Sequence, residues 1–177
     1  MISCIINILV LFSLWTFDGQ QDPQVQQTDI QGVIKLAKYA SWPAENQNRK
    51  TVIMIAPLSD ETFQLALDNA ADSKISDNDV EIRRIEKIDD DILKADIIFV
   101  ESGSGVDAEK VLQIVSGRQI LTITNDMDIL DKGFMFYVRQ DYDTGQTIYL
   151  FNKEAVQTSP LGINSLILLP DHKYQRK

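Results

Sequence analysis

The chain predicts an α/β domain built on a mixed, mostly parallel sheet, and three observations carry that prediction. Four short apolar or alternating runs are separated by amphipathic stretches long enough to be crossover helices. Two further strand-like runs then follow with only a short polar loop between them. An apolar segment closes the domain. The expected fold is a single domain whose sheet is flanked by helices and ends in a C-terminal antiparallel hairpin and a closing helix.

The first residues read as an export signal. Ile5 to Trp15 is almost continuously apolar, broken only by Asn7 and Ser13, and is too short to span a bilayer comfortably. Phe17-Asp18-Gly19 offers a small residue at its end, so residues 1–19 are expected to be removed. An uncleaved membrane anchor is the alternative. Cys4 precedes the apolar run and is not placed as a lipoprotein anchor. It is the only cysteine, so the exported chain would carry no disulfide and would depend on packing. Residues 20–27 are polar and read as a disordered arm, 28–170 as the domain, and 171–177 as a basic tail.

Within the domain, Thr28-Asp29-Ile30-Gln31 has the spacing of a capping box, and Ile30, Val33, Ile34 and Ala37 follow at helical intervals. Trp42 is expected at the end of that helix, and Pro43 stops it, because the residue before a proline is pushed out of the α region. Thr51 to Ala56 reads as a buried strand, and Ser59 caps a helix whose face is Phe63, Ala66, Leu67 and Ala70. Val80 to Ile85 alternates and is a strand with one wet face. A short helix near Asp89 to Lys94 leads into the buried strand Ala95 to Val100. Asp107 starts a helix carrying Val111, Leu112, Ile114 and Val115, and Gln119 to Thr124 is the next strand. Phe134 to Arg139 and Gln146 to Phe151 form the hairpin. Leu161, Ile163, Leu166, Ile167 and Leu169 read as a helix docked on the sheet, or in part as an exposed dimer face.

Charge and residue types narrow the function. A formal charge of −9, from 17 basic and 26 acidic residues, argues against a nucleic-acid partner. In open parallel sheets ligands bind beyond the carboxyl ends of the strands. The polar residues there are Ser59, Ser102, Ser104, Asn125 and Asp126, which form the candidate ligand set. The Ser102 to Gly105 loop has neither a Walker pattern nor a GxGxxG pattern, and reads first as an ordinary strand-to-helix turn. Asp89-Asp90-Asp91 reads as a helix start, and Asp126 with Asp128 as turn capping.

His172, the single histidine, lies in the basic tail, so no nucleophile–base pair is visible. No metal set is visible either, and no cofactor is expected. Trp42-Pro43, with Tyr39 and with Leu161 and Ile163, is the candidate partner surface, because aromatic side chains combine large contact area with a polar handle. The simpler reading of Trp42 is a cover for the sheet edge.

Four segments in order resemble a known family. Lys38-Tyr39-Ala40-Ser41-Trp42-Pro43 resembles the aromatic-x-x-x-Trp-Pro opening of the YfiR-like proteins, and Leu121 to Asp126 resembles their strand end. Gly133, the strand Ile148 to Asn152, and Leu161-Gly162-Ile163-Asn164-Ser165-Leu166-Ile167-Leu168 resemble their closing pattern. The resemblance covers about residues 30 to 169. It implies a non-catalytic, periplasmic and often dimeric regulator that restrains an inner-membrane diguanylate cyclase or sensor histidine kinase. A periplasmic module that binds a small molecule or cell-wall fragment at the strand ends is the alternative. The family's redox-linked members carry disulfides, which this mature chain would lack.

Overall fold

The computed structural model describes residues 23–43, 49–141, 144–164 and 175–176. The expected signal segment and most of the basic tail lie outside the described residues. Helix α1 (Pro23–Ala37) is followed by β1 (Ala40–Ser41), β2 (Thr51–Ala56), α2 (Asp60–Ala70), β3 (Lys74–Ile75) and β4 (Asn78–Arg84). A 3-10 turn at Asp90–Lys94 then precedes β5 (Ile97–Val100), α3 (Ala108–Val115), β6 (Leu121–Thr124) and α4 (Met127–Asp131). The chain ends in β7 (Phe136–Gln140), β8 (Thr147–Asn152), α5 (Lys153–Thr158), β9 (Gly162–Ile163) and β10 (Gln175–Arg176).

The main sheet has the order β10-β8-β7-β6-β5-β2-β4-β3. Strands β2, β4, β5, β6 and β7 run parallel, and β8 returns antiparallel to β7, as the hairpin pattern predicts. Register aligns Ile55, Phe99, Ile123, Phe136 and Phe151 in one row across the sheet. That row packs beneath Ile30, Val33, Ile34 and Ala37 of α1 and Ala66 and Ala70 of α2. Met54, Ile98 and Val100 point to the other face and pack with Val111 and Val115 of α3 and with Ile92. The result is a three-layer α/β/α arrangement, which buries both faces of a mostly parallel sheet.

Several starts and stops follow local chemistry. Ser59 caps α2 by accepting from the Thr62 N–H at 3.2 Å, and Asp107 caps α3 by accepting from the Glu109 and Lys110 N–H groups at 3.1 Å. Asp89 accepts from the Asp91 N–H, so the triple-aspartate run opens the 3-10 turn as expected. Ser76 and Asp77 both have positive φ (48° and 70°), which makes the β3–β4 connection a two-residue hairpin turn.

Three expectations need correction. Helix α1 begins at Pro23, ahead of the capping box expected at Thr28-Asp29-Ile30-Gln31, and takes in part of the arm; proline suits a first helical position. It ends at Ala37 rather than at Trp42, because the chain turns, with the Tyr39 N–H donating to the Leu36 carbonyl at 3.0 Å, and enters β1. Leu161–Asn164, expected as the start of a closing helix, is instead extended: β9 pairs antiparallel with β1. The helix that closes the hairpin is α5, and residues 165–169 lie outside the described residues.

Candidate functional site

Two groups of predicted residues lie in different parts of the fold. At the carboxyl ends of β5 and β6, the sheet brings Ser102, Asn125 and Asp126 together. The Asn125 side-chain oxygen accepts from the Ser102 N–H at 2.6 Å, and its amide donates to Asp29 at 3.0 Å. The Asp126 carboxylate accepts from the Ser102 hydroxyl at 2.9 Å and from the Asp128 N–H at 2.9 Å, which caps α4.

Ser59 is not in this group. It belongs to a neighbouring set in which Glu101 accepts from the Leu58 N–H at 2.5 Å and lies 3.0 Å from the Thr62 hydroxyl. Ser104 serves the turn, its N–H donating to the Glu101 carbonyl at 3.2 Å. Gly103 and Gly105, at φ 77° and 74°, supply the left-handed backbone that this turn requires.

The polar groups at the strand ends are therefore largely committed to one another and to helix caps. A ligand entering here would have to break those bonds before making its own. Asp29 and Glu101, which complete the two clusters, lie outside the candidate ligand set, although Glu101 stands at one of the polar strand ends from which that set is drawn. Asp29 lies on a helix 96 positions from its partner Asn125, and no local pattern announces such a pairing.

The second group converges fully. Ala40 pairs with Ile163 and Ser41 with Gly162, and the Asn164 N–H donates to the Tyr39 carbonyl at 2.8 Å. This two-stranded ladder places Tyr39, Trp42, Pro43, Leu161 and Ile163 in one region, although more than a hundred residues separate the two segments in sequence. Leu161 is buried in the core beneath α1, while Tyr39, Trp42 and Ile163 are half-buried against the same core. Gly162 allows the close crossing, since a Cβ there would lie 3.3 Å from the Ser41 Cβ. The Trp42 indole N–H is buried and has no acceptor among the described residues.

A charged clamp stands beside the ladder. Asp96, 4 % exposed, accepts from the Val52 N–H at 2.9 Å and from Arg49 at 3.0 and 2.5 Å. The pair fixes the chain at the entry to β2, where its carboxylate would otherwise be buried at a cost of several kcal/mol, roughly. A cavity of about 740 Å³ opens there, lined by Trp42, Pro43, Arg49, Lys50, Asp77 and Asn78. A second, of about 520 Å³, lies between the end of α3 and α5, with Arg118, Lys132 and Glu154 on its walls. Among the described residues there is no group of three or more His, Cys, Asp and Glu able to hold a metal ion, and no helix long and apolar enough to cross a membrane.

The arrangement consists of hydrogen-bonded turns at the strand ends and a short two-stranded ladder flanked by Tyr39 and Trp42. A family model described as YfiR/HmsC-like matches residues 26–169. No curated protein matches the chain.

Proposed function

The chain belongs to the YfiR/HmsC-like family, and from that premise we propose that it is a non-catalytic regulator that binds and restrains a membrane-bound signalling protein. In this reading it acts after export, in the periplasm, on the periplasmic part of a diguanylate cyclase or sensor histidine kinase. The observation that carries the proposal is the convergence of Tyr39, Trp42, Pro43 and Ile163 on one ladder within the matched segment. Half-buried aromatic and apolar side chains are the type that dominates protein–protein contacts. The polar set at the strand ends favours this reading over a ligand-binding module, because its members already satisfy one another.

The test is recovery of the partner from membranes after mild crosslinking, using the exported chain as bait. An inner-membrane cyclase or kinase is the expected catch. Ser41→Arg, which projects a charge from the exposed side of the ladder, is expected to reduce that recovery while leaving the unfolding midpoint unchanged. Recovery of no membrane protein, or equal recovery with Ser41→Arg and with Pro43→Asp, overturns the assignment. A thermal-shift screen of metabolites and cell-wall fragments tests the ligand reading, since a ligand of the folded state must raise stability.

A further inference from the structure

The cleft of about 520 Å³ beside α3 lies at the amino end of β6, the opposite end of that strand from Asn125 and Asp126. It shares no residue with the β1–β9 ladder. Its floor is apolar, because Val115, Ile120 and Met135 are all buried there. Asn152 ties two of the walls together. Its amide donates to the Leu130 carbonyl of α4 at 3.0 Å, and its oxygen accepts from the Ala155 N–H of α5 at 3.1 Å. The Gln119 side chain donates to the Pro160 carbonyl at 3.3 Å, which holds the α3–β6 turn against the segment after α5. The cleft is therefore braced on several sides by the fold.

The charged side chains around it are unequally employed. Lys132 pairs with Glu109 at 3.2 Å, and Asp131 has an interaction of its own. Arg118 and Glu154 stand on different walls, one on the α3–β6 turn and the other in the first turn of α5, and both are exposed. Neither forms an ion pair among the described residues, with the other or with any third group. At the carboxyl ends of the strands the polar groups satisfy one another. Here a guanidinium and a carboxylate flank one cleft and remain unpaired.

We propose that this cleft binds a short apolar peptide with free termini, its carboxylate on Arg118, its ammonium on Glu154 and its side chains over Val115, Ile120 and Met135. The planar fork of arginine matches a carboxylate through two parallel hydrogen bonds, and the Glu154 carboxylate accepts from an ammonium. A simple anion would meet the like charge of Glu154, and a simple cation that of Arg118. A sugar would gain nothing from the apolar floor, whereas aliphatic side chains leave water there. The volume falls within the roughly 300–1,000 Å³ of small-molecule sites, and two or three residues fill what one amino acid leaves partly empty. Both charges face solvent, so the peptide is expected to bind weakly and reversibly. The site does not depend on the proposed regulatory role.

The test is an amide-resolved NMR titration of the chain with leucyl-leucine, followed at Gly117, Gly133 and Ala155. Saturable shifts are expected at those amides, with Ser102, Asn125 and Ala40 unmoved. Arg118→Met is expected to weaken the free dipeptide by about threefold to fivefold and to leave its C-terminal amide unaffected. Glu154→Gln is expected to weaken the free dipeptide similarly and to leave the N-acetylated form unaffected. Both side chains are exposed, so neither variant is expected to move the unfolding midpoint. Free leucine is expected to bind more weakly than the dipeptide. Absence of saturable shifts, or shifts centred on the strand ends or the ladder, overturns the proposal. So do variants that bind the free dipeptide like wild type, equal weakening of free and blocked dipeptides, or leucine binding as tightly as leucyl-leucine.

Discussion

Gly32 is a close crossing between helix and sheet, and replacing it with alanine tests how the α1 layer is held. A Cβ at Gly32 would lie 2.4 Å from the Val138 Cγ2 atom, with Thr147 Cγ2 at 3.4 Å and the Tyr149 hydroxyl at 3.7 Å. Ordinary carbon contacts sit at roughly 3.5–4.0 Å, so the methyl is about 1.1 Å too close. Val138 cannot swing away cheaply: it is fully buried, β-branched and pinned in β7 between β6 and β8. Overpacking of this kind costs ~1–3 kcal/mol, and the rigid neighbour puts this case near ~3. Alanine returns about 1 kcal/mol of helix propensity, leaving a net loss of about 2 kcal/mol. For a chain of this length that lowers the midpoint of thermal unfolding by roughly 4–8 °C.

Circular dichroism melts of Gly32→Ala, Val138→Ala and the double variant provide the measurement. Because Val138→Ala deletes the clashing atom, the double variant is expected to be more stable than the sum of the single effects by at least ~1 kcal/mol. A Gly32→Ala chain more stable than wild type, or single effects that add within ~0.5 kcal/mol, would refute the close crossing.

Other perturbations have equally definite expectations. Arg49→Met leaves the Asp96 carboxylate buried without its cation and is expected to cost about 2 kcal/mol in urea unfolding, a moderate figure because the Arg49 side chain is 41 % exposed. Burial holds the Tyr149 phenol above its usual range; its hydrogen bond to Thr147 opposes that shift, and Tyr39 reinforces it. A folded value above the unfolded one means that the associated stability is fully present below pH ~10 and is lost as pH climbs through the folded value. Tyr149→Phe should flatten that alkaline decline in denaturant midpoints. Trp42→Phe removes the buried, unaccepted indole N–H while keeping an aromatic ring, and is expected to change stability by less than ~1 kcal/mol, against ~3 kcal/mol or more for Trp42→Ala.

Periodicity and capping chemistry made most of the fold legible. The buried strands β2, β5 and β6 announce themselves as apolar runs, and Ser59, Asp89 and Asp107 sit as caps where their side chains suggest. What stayed hidden depends on partners distant in sequence. β1 and β9 are two residues each, too short for any period, and exist because they pair with one another. Trp42-Pro43 pointed to a helix end, but the turn at Tyr39 had already closed the helix. At the strand ends, Ser102, Asn125 and Asp126 were legible as a polar set by their position after β5 and β6. Their mutual bonds were not, because these join separate loops and reach α1 through Asp29.

The ladder explains why two short motifs at opposite ends of the domain both carry the family resemblance. Tyr39 to Pro43 and Leu161 to Asn164 are weak signals taken singly, yet each supplies the other's backbone partner. A substitution in one is therefore felt in the other: a side chain at Gly162 presses on Ser41, and loss of Leu161 opens the core beneath α1. Such mutual dependence keeps the two segments together whatever their surface contacts. In the proposed role, the ladder's exposed side is free to vary with the partner while its buried side holds the fold. Functional specificity is thus expected to reside in the exposed Ser41 and the half-buried Trp42, Pro43 and Ile163, and the structural requirement in Ala40, Leu161 and Gly162.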